Sequence, residues 1–136
     1  MPARLNHLAV FVAAIAYFMW GYVWYGFVFR NLWTALVGPI PMNSSPMLYV
    51  QSFITGWIMA YFAGIALTKG DGPPSARHGV EFGLFMGIGL IATAMYNGYL
   101  YTSKPLGLWA IDAGYVVTGL AIMSAIVAGW QKKVAA

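Results

Sequence analysis

The sequence contains no cysteine and very little charge. The missing cysteine excludes disulfide bonds, thiolate nucleophiles and cysteine-ligated metal sites. Charged residues make up 7% of the chain, whereas a soluble globular protein carries roughly 25%. A surface in contact with water cannot be covered with so few charges. We therefore expect an integral membrane protein, in which residues 1–136 form a single membrane domain.

Hydrophobic residues supply 61% of the 136 residues, and they are gathered into long runs. A membrane-spanning helix needs about 20 consecutive apolar residues, and four runs have this length: 8–29, 47–68, 79–102 and 106–130. The first run resembles a signal peptide, but it continues past Trp20 without a small-residue cleavage site, so we expect a retained helix. The predicted fold is an all-α, antiparallel bundle of four transmembrane helices.

The segments between the runs carry helix-start and turn signals. Ser45 followed by Pro46 predicts a helix start, because a serine hydroxyl caps the first turn and proline favours the first helical position. The segment KGDGPPSARH, which begins at Lys69, predicts a polar turn. The segment SKP, which begins at Ser103, is so short that the third and fourth spans should form a tight hairpin.

The basic residues predict the orientation in the membrane, because Lys and Arg are enriched at the cytoplasmic ends of spans. One side of the predicted bundle holds five of the seven basic residues, which are Arg4, Lys69, Arg77, Lys132 and Lys133. The other side holds Arg30 and Lys104. Both termini are therefore predicted to be cytoplasmic. Single basic residues at the ends of spans favour a topology signal over a nucleic-acid site.

Small residues recur at intervals of four along three of the predicted spans. Residues four apart share a helix face, and small side chains let two helices approach closely. We expect helix packing at Ser52, Gly56, Ala60, Gly64, Gly79, Gly83, Gly87 and Gly119, and the fourth span continues the pattern at Ala121, Ala125 and Gly129. This spacing leaves open whether the contacts lie within the chain, in a homo-oligomer or in a larger membrane complex.

Polar and aromatic side chains are predicted to converge in the outer half of the bundle. Asn97 lies about 8 Å inside the end of the third predicted span, and Asp112 lies about 9 Å inside the start of the fourth. Antiparallel neighbours joined by a short turn match in depth, so these two residues should lie close together. The candidate ligand or polar cluster consists of Trp24, Tyr25, Gln51, Thr55, Asn97, Tyr101, Asp112 and Tyr115.

Asp112 is the only acidic residue well inside a predicted span. A charged aspartate near the bilayer centre costs roughly 2.5 to 3.5 kcal/mol on insertion scales, and less toward the interface. The side chain should therefore face inward and either pair through hydrogen bonds or stay protonated. Three roles remain open: a helix-linking hydrogen bond to Asn97 or a tyrosine, a proton or cation site, and a polar anchor in a ligand pocket.

The cytoplasmic side of the bundle offers little catalytic or metal-binding chemistry. Arg77 and Glu81 are four residues apart, which predicts a surface ion pair. His7 and His78 lie at the same interface and could ligate a metal together with Glu81, or a haem or chlorin, but no HxxxH-type spacing supports such a site. The glycine-rich run GLFMGIG lies in mid-membrane without a preceding strand, so it does not predict dinucleotide binding.

Two stretches of the sequence carry more specific patterns. The first, NHLAVFVAAIAYFMWGYVWYG, ends its helix with Trp24 and Tyr25, and the second, KPLGLWAIDAGYVVTGLAIMSAIVAGW, contains LWAIDAGY at 108–115. Together they resemble a family of small bacterial four-helix integral membrane proteins known only as a domain of unknown function. The family pattern has a Trp-Tyr pair in the first place and Leu-Trp-x-Ile-(Asp or Asn)-Ala-Gly-Tyr in the second. The resemblance implies the fold and a bacterial inner-membrane location, and the Asp or Asn choice at Asp112 favours hydrogen bonding.

These features favour a non-enzymatic role, because the chain has three acidic residues, two histidines and no cysteine with which to build a catalytic site. We expect an integral membrane subunit that self-associates or joins a larger membrane complex. Membrane lipids surround it, and an outer-leaflet pocket for a lipid-like or aromatic ligand is expected. The alternatives are a small-solute or proton-linked transporter centred on Asp112 and, third, a membrane enzyme. The sequence indicates no particular cofactor and no nucleic-acid partner.

Overall fold

The computed structural model of the protein describes residues 5–39, 45–70 and 75–131. These residues form helices α1 (His7–Val28), α2 (Arg30–Val37), α3 (Met47–Lys69), α4 (Ala76–Tyr101) and α5 (Leu106–Gly129). The described part of the chain contains no strand. Every helix except α2 is long and apolar enough to cross a membrane. The fold is therefore all-helical with four candidate membrane spans, as the sequence predicts.

Side-chain hydrogen bonds mark where three of the helices start, and in two of them the N-cap residue makes the bond. The Asn6 carboxamide oxygen accepts hydrogen bonds from two amides in the first turn of α1, at 3.0 and 3.4 Å. The Ser75 hydroxyl accepts a 3.2 Å bond from an amide of α4. The Ser45 hydroxyl accepts a 3.3 Å bond from the Met47 amide, so α3 begins directly after the predicted Ser45–Pro46 start signal. Each cap satisfies an amide that has no partner inside its helix.

Helix α2 lies in a segment that the sequence pattern presents only as a separator. It is amphipathic and ends at Gly38, whose φ of 76° is in the left-handed region that glycine adopts readily. The other helix bounds agree with the predicted runs to within three residues, the largest difference being the start of α4 at Ala76. The predicted topology residues Arg4, Lys132 and Lys133 lie outside the described residues.

Helix α5 is the central helix of the bundle. In α5, 44% of the most apolar stretch is buried, compared with 28% or less in the other three spans. It packs against α1, α3 and α4. Helices α4 and α5 run antiparallel and face each other through glycine, with Gly79 opposite Ser124, Gly83 opposite Ala121 and Gly87 opposite Val117. A Cβ at Gly83 would lie 2.6 Å from the Ala121 Cα, so glycine permits this close backbone approach.

Helices α1 and α3 form the rest of the core together with α5. Their buried side chains build one apolar cluster that includes Val10, Ala14, Tyr17, Ala60, Leu67, Met123 and Val127. The Tyr17 ring packs on two small residues, because a Cβ would lie 3.1 Å from it at Gly56 and 2.6 Å from it at Gly119. Gly64 is also buried, whereas Ser52 is exposed. Apart from Ser52, the residues predicted to pack against another helix therefore make their contacts within the chain.

Helices α1 and α4 each contain a π-helical segment, at Trp24–Val28 and Gly87–Ala92. A π segment accommodates one extra residue, so the helix beyond it is rotated by about 100° relative to a continuous α-helix. In α4 the residues that face α5 accordingly change from the glycine series to Ala92 and Tyr99. The Ala92 carbonyl accepts a 2.9 Å hydrogen bond from the Trp109 indole of α5. This rotation determines which side chains at the end of α4 contact the start of α5.

The bundle has two chemically different ends, which we name by what they contain. The Asp112 end is where α1 and α4 end and where α3 and α5 begin. Helix α2 and the tight turn between α4 and α5 also lie there. The terminal end is where α1 and α4 begin and where α3 and α5 end.

Candidate functional site

The Asp112 carboxylate joins four helices of the bundle through hydrogen bonds. Its Oδ1 accepts from the Tyr25 hydroxyl of α1 at 2.8 Å and from the Trp33 indole of α2 at 3.0 Å. Its Oδ2 accepts a short hydrogen bond from the Tyr99 hydroxyl of α4. Asp112 itself belongs to α5. We call these four residues the Asp112 network.

The network compensates for a carboxylate that has no cationic partner. In the described ranges of the chain, the only ion pair joins Arg77 and Glu81, at the other end of the bundle. An ionised carboxylate offers about four acceptor positions, and three donors occupy this one. Hydrogen bonds to a charged acceptor contribute roughly 1.5 to 3 kcal/mol each, which is enough to offset the cost of placing Asp112 inside a span. The arrangement favours a link between helices over a cation site.

Aromatic side chains enclose the network on the side of α1. The Trp24 indole donates a 2.9 Å hydrogen bond to the Ile111 carbonyl, so a tryptophan also anchors α1 to the residue before Asp112. The Tyr115 hydroxyl donates to the Tyr17 carbonyl at 3.2 Å, and the Tyr25 and Tyr115 ring centroids are 5.3 Å apart. The space between α1 and α5 at this level is occupied by these rings.

The structure brings half of the predicted cluster together. Trp24, Tyr25, Asp112 and Tyr115 lie side by side between α1 and α5. The other four residues are exposed and lie outside the network; they are Gln51, Thr55, Asn97 and Tyr101. Of the two partners predicted for Asp112, Asn97 or a tyrosine, the structure shows tyrosine, at Tyr25 and Tyr99, with the Trp33 indole in addition.

The π segment of α4 explains why Asn97 lies outside. In a continuous α-helix Asn97 would share the face of Gly79, five turns earlier, but the π segment at Gly87–Ala92 breaks this register, and Tyr99 is the residue that bonds to α5 instead. Residues two apart on a helix are separated by about 200°. Asn97 and Tyr101, on either side of Tyr99, consequently point away from α5, and Tyr101 is 87% exposed.

The packing of α3 explains the positions of the remaining two residues. Helix α3 contacts α1 through Gly56 and Gly64, which form part of one face. Gln51 and Thr55 lie on another face, and the Thr55 hydroxyl donates to the Gln51 carbonyl within the same helix at 2.8 Å. Helix α3 therefore contributes no side chain to the Asp112 network.

Trp33 and Tyr99 are the network members that sequence reasoning missed. The amphipathic pattern of residues 30–37 is a usable signal for Trp33, because it predicts a surface helix whose apolar side rests on the bundle. Tyr99 has no comparable signal. Its orientation depends on the π segment, and neither the apolar pattern nor the glycine spacing of α4 marks where that segment lies.

One cavity borders the network at Tyr99, and another lies away from it. A recess of about 290 Å³ at the Asp112 end is lined by Tyr96, Tyr99, Leu100, Ser103, Lys104 and Trp109, together with Leu106. A groove of about 330 Å³ between α3 and α4 is almost entirely apolar and is lined by residues such as Phe62, Phe82 and Leu120. The groove has room for a hydrocarbon chain, but only the recess contains a charged side chain that could orient a headgroup.

The terminal end holds the predicted histidines and the predicted ion pair. Arg77 Nε and Glu81 Oε1 are 3.2 Å apart on an exposed face of α4, as the spacing predicts. His7 Nδ1 lies 3.1 Å from the Tyr61 hydroxyl, and His78 is in the first turn of α4. Within residues 5–39, 45–70 and 75–131, no group of three His, Asp or Glu side chains is placed to hold a metal ion.

The fold defines a class, an all-helical protein with four candidate membrane spans. Within that class the chain belongs to the family described as "Protein of unknown function (DUF1761)", whose sequence pattern matches residues 8–128. The family resemblance inferred from the two motifs is thereby confirmed. In the structure these motifs contact each other, because Trp24 and Tyr25 bind Ile111 and Asp112. Neither a curated protein nor a solved structure matches this chain.

Proposed function

We propose that this protein is a non-enzymatic, self-associating subunit of the bacterial inner membrane, with a recess for a lipid-like ligand at its outer end. Lys69 and Arg77 lie at the terminal end, and the sequence adds three basic residues beyond the described ranges on that side. This distribution supports cytoplasmic termini and an outward-facing Asp112 end.

The exposed carboxamide of Asn97 is the observation that carries the proposal of self-association. Asn97 lies about 13 Å from the midpoint of α4, within a hydrocarbon layer that extends about 15 Å to either side of its centre. Its side chain is exposed and has no hydrogen-bond partner among the residues that the structure describes. A polar group in hydrocarbon is costly without a partner, and interhelical hydrogen bonds are a common way to provide one.

The surroundings of Asn97 suit a second helix. Ala94 and Gly98 are four residues apart on the same exposed face, and a Cβ at Gly98 would meet nothing within 4 Å. Such a small-residue pair lets two helices approach closely in a membrane.

A second copy of this chain is the occupant that this face fits. A two-fold axis along the membrane normal places identical residues of the two copies at the same depth. The two Asn97 carboxamides, each with a donor and an acceptor, could then bind each other.

Disulfide crosslinking tests this face directly, because the natural chain has no cysteine. Ala94→Cys in lipid nanodiscs or native membranes should form a covalent dimer on mild oxidation. Phe62→Cys, on the exposed face of α3, is the matched control and should remain monomeric. Equal crosslinking of both variants, or none at Ala94→Cys, contradicts a specific interface at α4.

Replacement of Asn97 tests whether the carboxamide drives the association. Membrane interhelical hydrogen bonds contribute about 0.6 to 2 kcal/mol, so Asn97→Leu should raise the dimer dissociation constant about threefold to thirtyfold. Thr55→Val removes an exposed hydroxyl that is already bonded within α3 and should leave the constant unchanged. An unchanged constant in Asn97→Leu, or a stable complex with a different protein in place of the dimer, would exclude self-association through Asn97.

The alternative of a proton-linked transporter centred on Asp112 receives less support. The carboxylate is held by three donors, and the next polar side chains toward the terminal end are satisfied by backbone carbonyls. Tyr115 donates to Tyr17, and Thr118 donates to Gly114 at 2.7 Å. A transport path needs groups that can exchange partners. Unchanged proton flux in liposomes containing Asp112→Asn would remove this alternative.

A further inference from the structure

The recess at the Asp112 end combines a cation, polar groups and aromatic walls. Lys104 lies in the turn between α4 and α5, with its Nζ 5.1 Å from the centre of the Tyr99 ring. No carboxylate in the described part of the chain pairs with this lysine. The Ser103 hydroxyl also lines the recess and has no hydrogen-bond partner among the described residues. The recess therefore offers a positive charge and a free hydroxyl to an incoming group.

The backbone of the turn leads directly into the start of α5. The Lys104 amide donates to the Tyr99 carbonyl at 3.0 Å and the Ser103 amide donates to the Leu100 carbonyl at 3.2 Å, which closes the end of α4 in a Schellman motif. Helix α5 begins two residues later, so its first amides and the positive end of its dipole lie beside Lys104. Positive potential from the lysine and the helix start selects for an anion.

The remaining walls of the recess select for an amphiphile. Trp109 and Tyr96 meet edge to face with ring centroids 5.3 Å apart, and Leu100 and Leu106 are exposed beside them. Tryptophan and tyrosine favour the boundary between headgroups and hydrocarbon. The volume of about 290 Å³ is at the lower limit for small-molecule sites, so it suits a headgroup whose hydrocarbon tails remain in the bilayer.

We propose that this recess binds the phosphate group of an anionic phospholipid in the outer leaflet, with Lys104 as the charge partner, Ser103 as a hydrogen-bond donor and Trp109 against the glycerol region. The site rests on the outward orientation of the Asp112 end in the proposed function. It does not depend on self-association, because the recess lies within one chain. The proposal gives the expected lipid-like ligand a chemical class. It places that ligand at the turn between α4 and α5, beside residues that the predicted cluster does not include.

Native mass spectrometry of the full chain, released from nanodiscs that contain phosphatidylglycerol and phosphatidylcholine, measures the retained lipid. The natural chain should retain one phosphatidylglycerol in preference to phosphatidylcholine. Lys104→Gln should weaken this binding about fivefold, as expected for one basic residue at an anionic surface, and Lys104→Arg should preserve it. Arg30→Gln removes the same charge at the same end but outside the recess, and should leave binding unchanged.

Three results would overturn the proposal. Equal losses in Lys104→Gln and Arg30→Gln would show only general attraction to anionic lipid. Retention of phosphatidylcholine as strongly as phosphatidylglycerol would show that the recess does not select for the net negative charge of the lipid. Complete displacement of the lipid by inorganic phosphate at equal concentration would identify a soluble-anion site.

The same measurement in Asn97→Leu separates the two proposals. If the lipid is retained by a variant that no longer dimerises, both proposals stand. If the natural chain is monomeric but still selects phosphatidylglycerol, only self-association fails. If the natural chain dimerises without lipid selection, only the lipid site fails. Thermal unfolding of each variant identifies any loss of binding that results from misfolding.

Discussion

The Trp33 indole donates a 3.0 Å hydrogen bond to the carboxylate of Asp112, and this contact attaches the short helix α2 to the centre of the bundle. Leu36 of α2 also packs beside Gly107 at the start of α5. Helix α2 is thus held by polar and apolar contacts, which include the edge-to-face packing of the Trp33 ring on the Tyr25 ring at 5.6 Å. An amphipathic helix of eight residues is too short to be stable by itself, so these contacts determine its position.

Loss of the Trp33 bond should loosen α2 without unfolding the spans. We expect Trp33→Phe to increase amide hydrogen exchange in Arg30–Val37 about tenfold, because a bond to a charged acceptor is worth roughly 1.5 kcal/mol or more. Leu32→Ala changes an exposed side chain of the same helix and serves as the control. Exchange that rises equally in both variants, or in neither, would mean that the indole does not hold α2.

Replacement of Asp112 should separate hydrogen bonding from charge. Asp112→Ala leaves Tyr25, Trp33 and Tyr99 without their shared acceptor and should lower the free energy of unfolding by about 3 kcal/mol or more. Asp112→Asn keeps an acceptor oxygen for two of these donors, so the loss should be about 1 kcal/mol. Unfolding in mixed micelles by denaturing detergent measures both values. Equal losses in the two variants would mean that the negative charge itself is required.

The close contact between α4 and α5 predicts opposite effects at two glycines of α4. Gly83→Ala places a Cβ 2.6 Å from the Ala121 Cα, so the helices must separate, and we expect a loss of about 1 to 3 kcal/mol. Gly89→Ala meets nothing within 4 Å and should be neutral or stabilising by up to about 1 kcal/mol. The same unfolding measurement distinguishes them. A similar response at both positions would contradict the close approach.

A buried and a half-buried hydroxyl group of α5 should respond differently to removal. Ser124 is fully buried and its hydroxyl has no partner in the described part of the chain, so Ser124→Ala should stabilise the protein by about 1 kcal/mol. The Thr118 hydroxyl accepts a 2.9 Å hydrogen bond from the Trp20 indole, so Thr118→Val should destabilise it by about 1 kcal/mol. Loss of stability in Ser124→Ala would reveal a partner for its hydroxyl.

The sequence predicts the spans and their packing faces well, because both depend on local properties. Apolar runs of about 20 residues are determined by bilayer thickness, and a glycine every fourth residue marks a face that another helix can approach. Gly79, Gly83 and Gly87 accordingly pack on α5. The spacing of small residues does not identify the helix that packs on each face, because the same pattern occurs at contacts within a chain and between chains.

The membership of the polar cluster is less predictable, because it depends on helix rotation. The π segment of α4 changes the helix register, and Tyr99 lies at the face of α5 in place of Asn97. Gln51 and Thr55 reach the same depth as Asp112 but on a face of α3 that points outward. The depth of a side chain in the membrane follows from counting residues along its span. The direction in which the side chain points depends on how the helices pack in three dimensions.

The central place of α5 has a consequence for how the chain is made. Helices α1, α3 and α4 all rest on α5, and α5 follows them in the order of synthesis. Until the ribosome has delivered α5, Asp112 is absent, and Tyr25, Trp33 and Tyr99 have no common acceptor. The earlier spans therefore remain loosely associated in the bilayer until α5 is inserted. A messenger RNA truncated before α5 would yield a loosely packed product that membrane proteases can degrade.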